Sequence, residues 1–142
     1  KVTNAFIYSK RQRSKVRMPT IVHFEIATDN LGRAKKFYGE LFDWKFEKME
    51  GGQMEYEMIT TTNGKGEKAN IGGGMMKRVQ PDQAITNYID VPSVDQYAAK
   101  VQKLGGKVKM PKSPVPGMGY FAICADTENN TFGIWENNTN AK

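Results

Sequence analysis

Thr20–Met49, TIVHFEIATDNLGRAKKFYGELFDWKFEKM, decides the fold, because it reads as strand, helix and strand in succession. In Ile21–Ala27 the apolar Val22, Phe24 and Ile26 alternate with His23, Glu25 and Ala27, the period of a strand whose two faces differ. The apolar face should pack on a helix, and one follows at once. Leu31, Ala34, Phe37, Tyr38, Leu41 and Phe42 recur at spacings of three and four, with Asp29 or Asn30 available as N-cap. Trp44–Met49 then returns as a strand.

Outward from this stretch, Gln53–Thr61 alternates as the next strand behind a Gly51-Gly52 turn, and Asn63-Gly64 marks a further turn. Ile71–Lys77, IGGGMMK, reads as a short strand whose three glycines are poor strand formers and need a reason. Val79–Gln83 is the candidate linker. The pattern then restarts. Thr86–Val91 is a strand, and Val94–Leu104 a helix that opens on a Ser93/Gln96 capping box and stops at Gly105-Gly106. Lys107–Met110, Gly119–Asp126 and Thr131–Glu136 supply three more strands, with the proline-rich KSPVPGMG read as a loop and TENN as a turn.

An offset of 63 lays Leu31 on Val94, Tyr38 on Val101, Leu41 on Leu104, Ile26 on Ile89 and His23 on Thr86. Two copies of strand, helix and three strands, each too small to hold a core alone, bury a face each by pairing and leave a concave surface between them. A continuous ferredoxin-like α+β sheet is the alternative topology. The boundaries that follow are a basic extension over 1–17, a domain over 18–137 with modules at 18–78 and 84–137, and a polar tail over 138–142.

Composition narrows the classes. The net charge of +6 is carried by the first 17 residues, which hold six basic side chains and no acid, and the remainder is formally neutral. A neutral folded part lacks the footprint of a nucleic-acid-binding domain. The single cysteine, Cys124, can form neither an internal disulfide nor a thiolate metal site. With no long apolar run and no secretory leader in the sequence, the expected location is the cytoplasm.

HFEIATDNLGRAKKFYGELFDWKFEK, followed by GGGMMKR, NYIDVPSVDQYAAKVQKLGGKV and PVPGMGYFAICADTENNTFGIWE, resembles the vicinal oxygen chelate superfamily. That group contains lactoylglutathione lyase, bleomycin-resistance proteins and extradiol dioxygenases, and the likeness spans Pro19–Glu136. The resemblance implies an α+β fold of two paired βαβββ modules, a cupped mixed sheet around a cavity, and a homodimer.

Metal-dependent members of that family place one ligand on the first strand and one on the last strand of each module, where a divalent ion polarises substrate oxygens. His23 occupies the first slot, but Thr86 occupies its equivalent, Gly133 another, and the remaining slot falls within Gly72–Gly74. Glu25 could supply a second donor and Glu57 or Glu136 a third, yet one retained ligand does not hold an ion in water. No cofactor is therefore expected, with a divalent metal as the alternative.

His23 and Glu25 are the catalytic candidates, an imidazole and a carboxylate on one strand face that could act as base and orienting partner or simply satisfy each other. Met58, Gly73, Met75, Tyr120 and Trp135 are the candidate ligand-binding residues, since methionines and aromatics suit an apolar or conjugated ligand and glycine admits close approach to the backbone. The resemblance implies a small-molecule enzyme of lyase or isomerase type, or alternatively a metal-free binding protein of bleomycin-resistance type. The partner is then a small molecule rather than nucleic acid or membrane.

Overall fold

The computed structural model describes residues 19–52, 54–63, 65–69 and 71–142; the basic extension lies outside the described residues. The first module comprises β1 (Ile21–Thr28), α1 (Leu31–Phe42), β2 (Lys45–Lys48), β3 (Tyr56–Thr60) and β4 (Gly72–Lys77). The second repeats the order with β5 (Thr86–Asp90), α2 (Val94–Lys103), β6 (Lys107–Val115), β7 (Gly119–Ala125) and β8 (Thr131–Asn137). All eight strands join one open mixed sheet in the order β2-β3-β4-β1-β5-β8-β7-β6. The α+β fold of two paired modules is as expected.

The modules meet where β1 runs antiparallel to β5, with Phe24 opposite Asn87. Those positions are 63 apart, so the offset that relates the two modules also relates the two residues at their junction. A pseudo-two-fold axis therefore passes through this pair, and whatever stands on β1 near Phe24 is answered by β5. In each module the first strand also pairs in parallel with the last, β1 with β4 and β5 with β8.

Both helices cover the same face of the sheet. Under α2, Val91, Val94, Ala122, Cys124 and Ile134 form a buried cluster. Under α1, Ile26, Ile59 and Met75 are buried, with Phe24, Leu31, Ala34, Tyr38, Trp44 and Phe46 packed around them. The two helices are not equally seated. No residue of α1 is buried, and Phe37, Leu41 and Phe42, expected on its inner face, are 59%, 57% and 49% exposed. Trp44, stacked on Tyr38 with centroids 5.4 Å apart, fills the space beneath the helix instead.

Capping follows the sequence. Asn30 Oδ1 accepts from Arg33 N at 2.8 Å, and Ser93 Oγ accepts from Gln96 N. The chief departure is β6, which continues from Lys107 through Pro111 and Pro114 to Val115 where a loop was expected. It is an edge strand with irregular register, so its prolines have no outer ladder bond to lose. Among the described residues no helix is long and apolar enough to cross a membrane.

Candidate functional site

The helix-free face carries the chemistry. On β1, His23 and Glu25 alternate with Phe24 and Ile26 and so project away from the helices. Across the junction they face Tyr88 and Thr86 respectively. By the offset of 63, Thr86 is the equivalent of His23 and Tyr88 the equivalent of Glu25, so these four positions ring the pseudo-two-fold axis.

Two tyrosines complete the cluster. The Tyr56 hydroxyl donates to Glu25 Oε2 at 3.0 Å and lies 2.9 Å from His23 Nε2. Tyr88 donates to Glu25 Oε1 at 3.3 Å while its ring meets the imidazole edge-on, centroids 5.8 Å apart. Each phenol has one hydrogen and spends it on Glu25, so the Tyr56 oxygen accepts from His23 Nε2–H. This order of donation assigns the Nε2–H tautomer to the neutral ring and leaves the lone pair on Nδ1.

Burial sets the protonation states. It lowers the His23 pKa below its ordinary value, because the imidazolium loses water. The Glu25 carboxyl is pushed up by burial, and the hydrogen bonds from Tyr56 and Tyr88 pull it partly back. Both phenols are raised well above the usual tyrosine range, first by burial and then by the Glu25 charge, so they remain protonated donors.

The glycines explain how the rings fit. Gly74 lies beside Glu25 in the β1–β4 register, and a methyl group there would overlap the Tyr56 hydroxyl. Gly133 lies beside Tyr88 in the β5–β8 register, and a methyl group there would overlap the Tyr88 ring. The last strand of each module thus gives up its side chain where a tyrosine must cross it.

Not every expected ligand-binding residue lies here. Met58, opposite Gly74, and Trp135, in register with Asp90 next to Tyr88, belong to the helix-free face. Gly73, Met75 and Tyr120 do not. Gly73 makes room for the Phe24 ring, Met75 is fully buried in the core under α1, and Tyr120 packs against the core under α2 beneath the Lys112 ammonium. All three fail on strand parity, which places one neighbour in two on the wrong face. Tyr56 and Tyr88 are not among the expected site residues; the signal of their role is the pairing of each with a glycine one strand away.

The donor set does not fit a divalent ion. The Tyr56 oxygen stands between His23 and Glu25, and Gly74 and Gly133 offer no donor. Glu57 and Glu136 point to the helix side: Glu57 pairs with Lys35 at 2.9 Å, and Glu136 Oε2 accepts from Val94 N at the start of α2. Among the described residues, no three His, Cys, Asp or Glu side chains converge. Hollows of about 370 and 390 Å³ flank α1 on the other side of the sheet, between Phe24, Trp44 and Ile85 and beside Phe37 and Arg78, and neither includes His23 or Glu25.

Comparison with known proteins agrees with this architecture. Residues 20–134 match the profile described as Glyoxalase/Bleomycin resistance protein/Dioxygenase superfamily. Proteins named "Putative glyoxylase CFP32" from Mycobacterium bovis and Mycobacterium tuberculosis are 30% identical over 131 residues, covering 89% of this chain and 49% of the relative. The chain spans about half the length of these curated relatives. Among solved structures, a hypothetical protein from Bacillus halodurans superposes with a TM-score of 0.62 at 15% identity, covering 89% of this chain and 99% of the other. A methylmalonyl-CoA epimerase in complex with methylmalonyl-CoA and NH4+ gives 0.61 at 14% identity, covering 88% and 99%. The epimerase from Mycobacterium tuberculosis gives 0.59 at 9%, covering 83% and 87%. At these identities the structural matches speak for the fold alone.

Proposed function

Because this chain belongs to the Glyoxalase/Bleomycin resistance protein/Dioxygenase superfamily, we propose that it is a glyoxalase-like small-molecule enzyme of lyase or isomerase type that works by acid/base chemistry at His23 without a divalent ion. The observation that carries this reading is the chain of hydrogen bonds from His23 through Tyr56 to Glu25, at 2.9 and 3.0 Å. In the neutral ring the Nδ1 lone pair takes a proton from substrate. The imidazolium so formed keeps its Nε2–H on the Tyr56 oxygen, and the Glu25 carboxylate beyond it offsets the new charge. Returning the proton to a different atom of the substrate completes an isomerisation with no net change at the protein. Burial favours the starting state, since it lowers the His23 pKa and keeps the ring a neutral base.

The test is turnover of hemithioacetals by the full chain in deuterium oxide, with chelator and with added divalent ions. Expected are activity and deuterium incorporation that a chelator leaves unchanged and that H23Q lowers by roughly 100-fold or more. Absence of turnover and exchange under all these conditions removes this substrate class.

A second reading, a metal-free binding protein of bleomycin-resistance type, draws support from the half-buried Met58, Met76, Phe121 and Trp135 on the same face as the cluster. Partly exposed apolar side chains around a small polar centre suit retention of a ligand as well as its conversion. A ligand that raises the melting temperature of wild type and H23Q equally, with no turnover, selects this reading.

A further inference from the structure

The open face presents acceptors and negative charge at its centre and apolar side chains around it. Both phenol hydrogens are spent on Glu25, one from β3 and one from β5. Thr86, the fourth residue at the axis, is only 7% exposed. What the centre offers an incoming molecule is therefore the second nitrogen of His23, phenol oxygens and a carboxylate. The flanks are Met58 and Met76 on the first module and Phe121 and Trp135 on the second, the latter two directly opposite each other.

The charges on this face are unevenly placed. Glu25 lies on β1 and Asp90 on β5, the two central strands. Lys45, Lys107 and Lys109 lie on β2 and β6, the outer strands of the sheet, with Glu47 beside Lys45 on β2 opposite Met58. Three strand spacings separate either edge from the centre, about 14 Å. Lys45 is held by Asp43 at the edge, and Lys109 reaches inward only as far as Thr131 Oγ1. A ligand seated over Glu25 meets negative charge without a facing cation among the described residues.

We propose that the portion of the ligand lying over the His23–Glu25 centre is an uncharged, flat, conjugated carbonyl group, held between the methionines of one module and Phe121 and Trp135 of the other. This rests on the reading of the open face as the ligand site. A carboxylate in the same place would face the Glu25 carboxylate at the cost of like-charge repulsion in a partly desolvated site, a cost that a neutral carbonyl group does not carry. A conjugated carbonyl compound brings an acidified C–H or O–H to the acceptor nitrogen and a π-face to the aromatic wall.

The test compares two probes of one shape, benzylideneacetone and cinnamate, which differ in a methyl ketone against a carboxylate. Trp44 and Trp135 are the chain's two tryptophans, so W44F leaves Trp135 as the site's own fluorophore. Thermal shift of the unmodified chain provides the same comparison if W44F does not fold. Expected is ketone binding that exceeds cinnamate by at least about tenfold, the gap narrowing to within about threefold in E25Q. Cinnamate binding equal to or tighter than the ketone overturns the proposal, as does a gap unchanged in a folded E25Q or binding of neither probe. Ketone binding without hemithioacetal turnover upholds the ligand class and removes hemithioacetals as the substrate class. Turnover with neither probe bound does the reverse.

Discussion

Tyr56 donates its only hydroxyl hydrogen to Glu25 Oε2 at 3.0 Å, and this bond decides which proton His23 can take. With the phenol hydrogen turned to the carboxylate, the oxygen accepts from Nε2–H, and Nδ1 is left as the base. Y56F breaks both bonds at once while keeping the ring beside Gly74. The imidazolium then loses its link to Glu25, so the His23 pKa should fall further below its ordinary value. Proton acceptance should weaken by roughly 10- to 100-fold, the worth of one hydrogen bond to a charged group. His23 is the only histidine in the chain, so one imidazole resonance followed against pH in wild type and Y56F measures the first effect. An unmoved titration would remove Tyr56 from the relay.

The same cluster imposes two opposed pH dependences on stability. For Glu25 the native pKa is raised from 4.5 by burial, so its contribution is complete below about 4.5 and is lost as pH rises through the native value. For His23 the native pKa is lowered from 6.5, so its contribution is complete above about 6.5 and is lost as pH falls through the native value. E25Q should therefore gain on wild type as pH is raised from about 4 to about 7.5, and H23Q should gain as it is lowered over the same span. Urea denaturation of the three proteins at both ends of that range provides the check. Parallel pH curves for wild type and E25Q would show that Glu25 is not destabilised by burial.

The fold was legible because it is written twice. The spacing of Leu31, Ala34 and Tyr38 recurs at Val94, Tyr97 and Val101, and the same offset reappears physically as Phe24 opposite Asn87. His23 and Glu25 were legible from alternation against Phe24 and Ile26 on a single strand. Residues farther apart were not, because assigning Met75 or Tyr120 to a face needs the register of a strand several positions away, and a slip of one residue reverses every side chain. The seating of α1 was hidden for a different reason. Periodicity marks a stripe, and Trp44 rather than Phe37 or Leu41 fills the space beneath it.

Gly74 gives a test of packing that separates the site from the scaffold. A methyl group there would overlap the Tyr56 hydroxyl, so G74A must displace the ring or bend β4. Overpacking of this kind costs about 1–3 kcal/mol. The cost should largely vanish when the ring is absent, making Y56A with G74A less destabilised than the sum of its singles by about 1 kcal/mol or more. Chemical denaturation of the four proteins of this cycle measures the coupling. Additivity within error would mean that Gly74 serves strand geometry and not the tyrosine.

Met58 and Met75 put strand parity itself to the test, since the two look alike in sequence and lie on opposite faces. Met75 pairs with Ile26 on the helix side and is fully buried, so truncation leaves a cavity between β4 and α1. M75A should lose about 2–5 kcal/mol of stability. Met58 lies opposite Gly74 on the helix-free face and is only half-buried, so M58A should cost much less, about 1 kcal/mol. Its effect should appear in binding instead, because the wall beside Tyr56 loses the thioether that a ligand would touch. Denaturation midpoints together with the affinity for benzylideneacetone distinguish the two, and an M58A variant that loses stability but keeps full affinity would move Met58 out of the site.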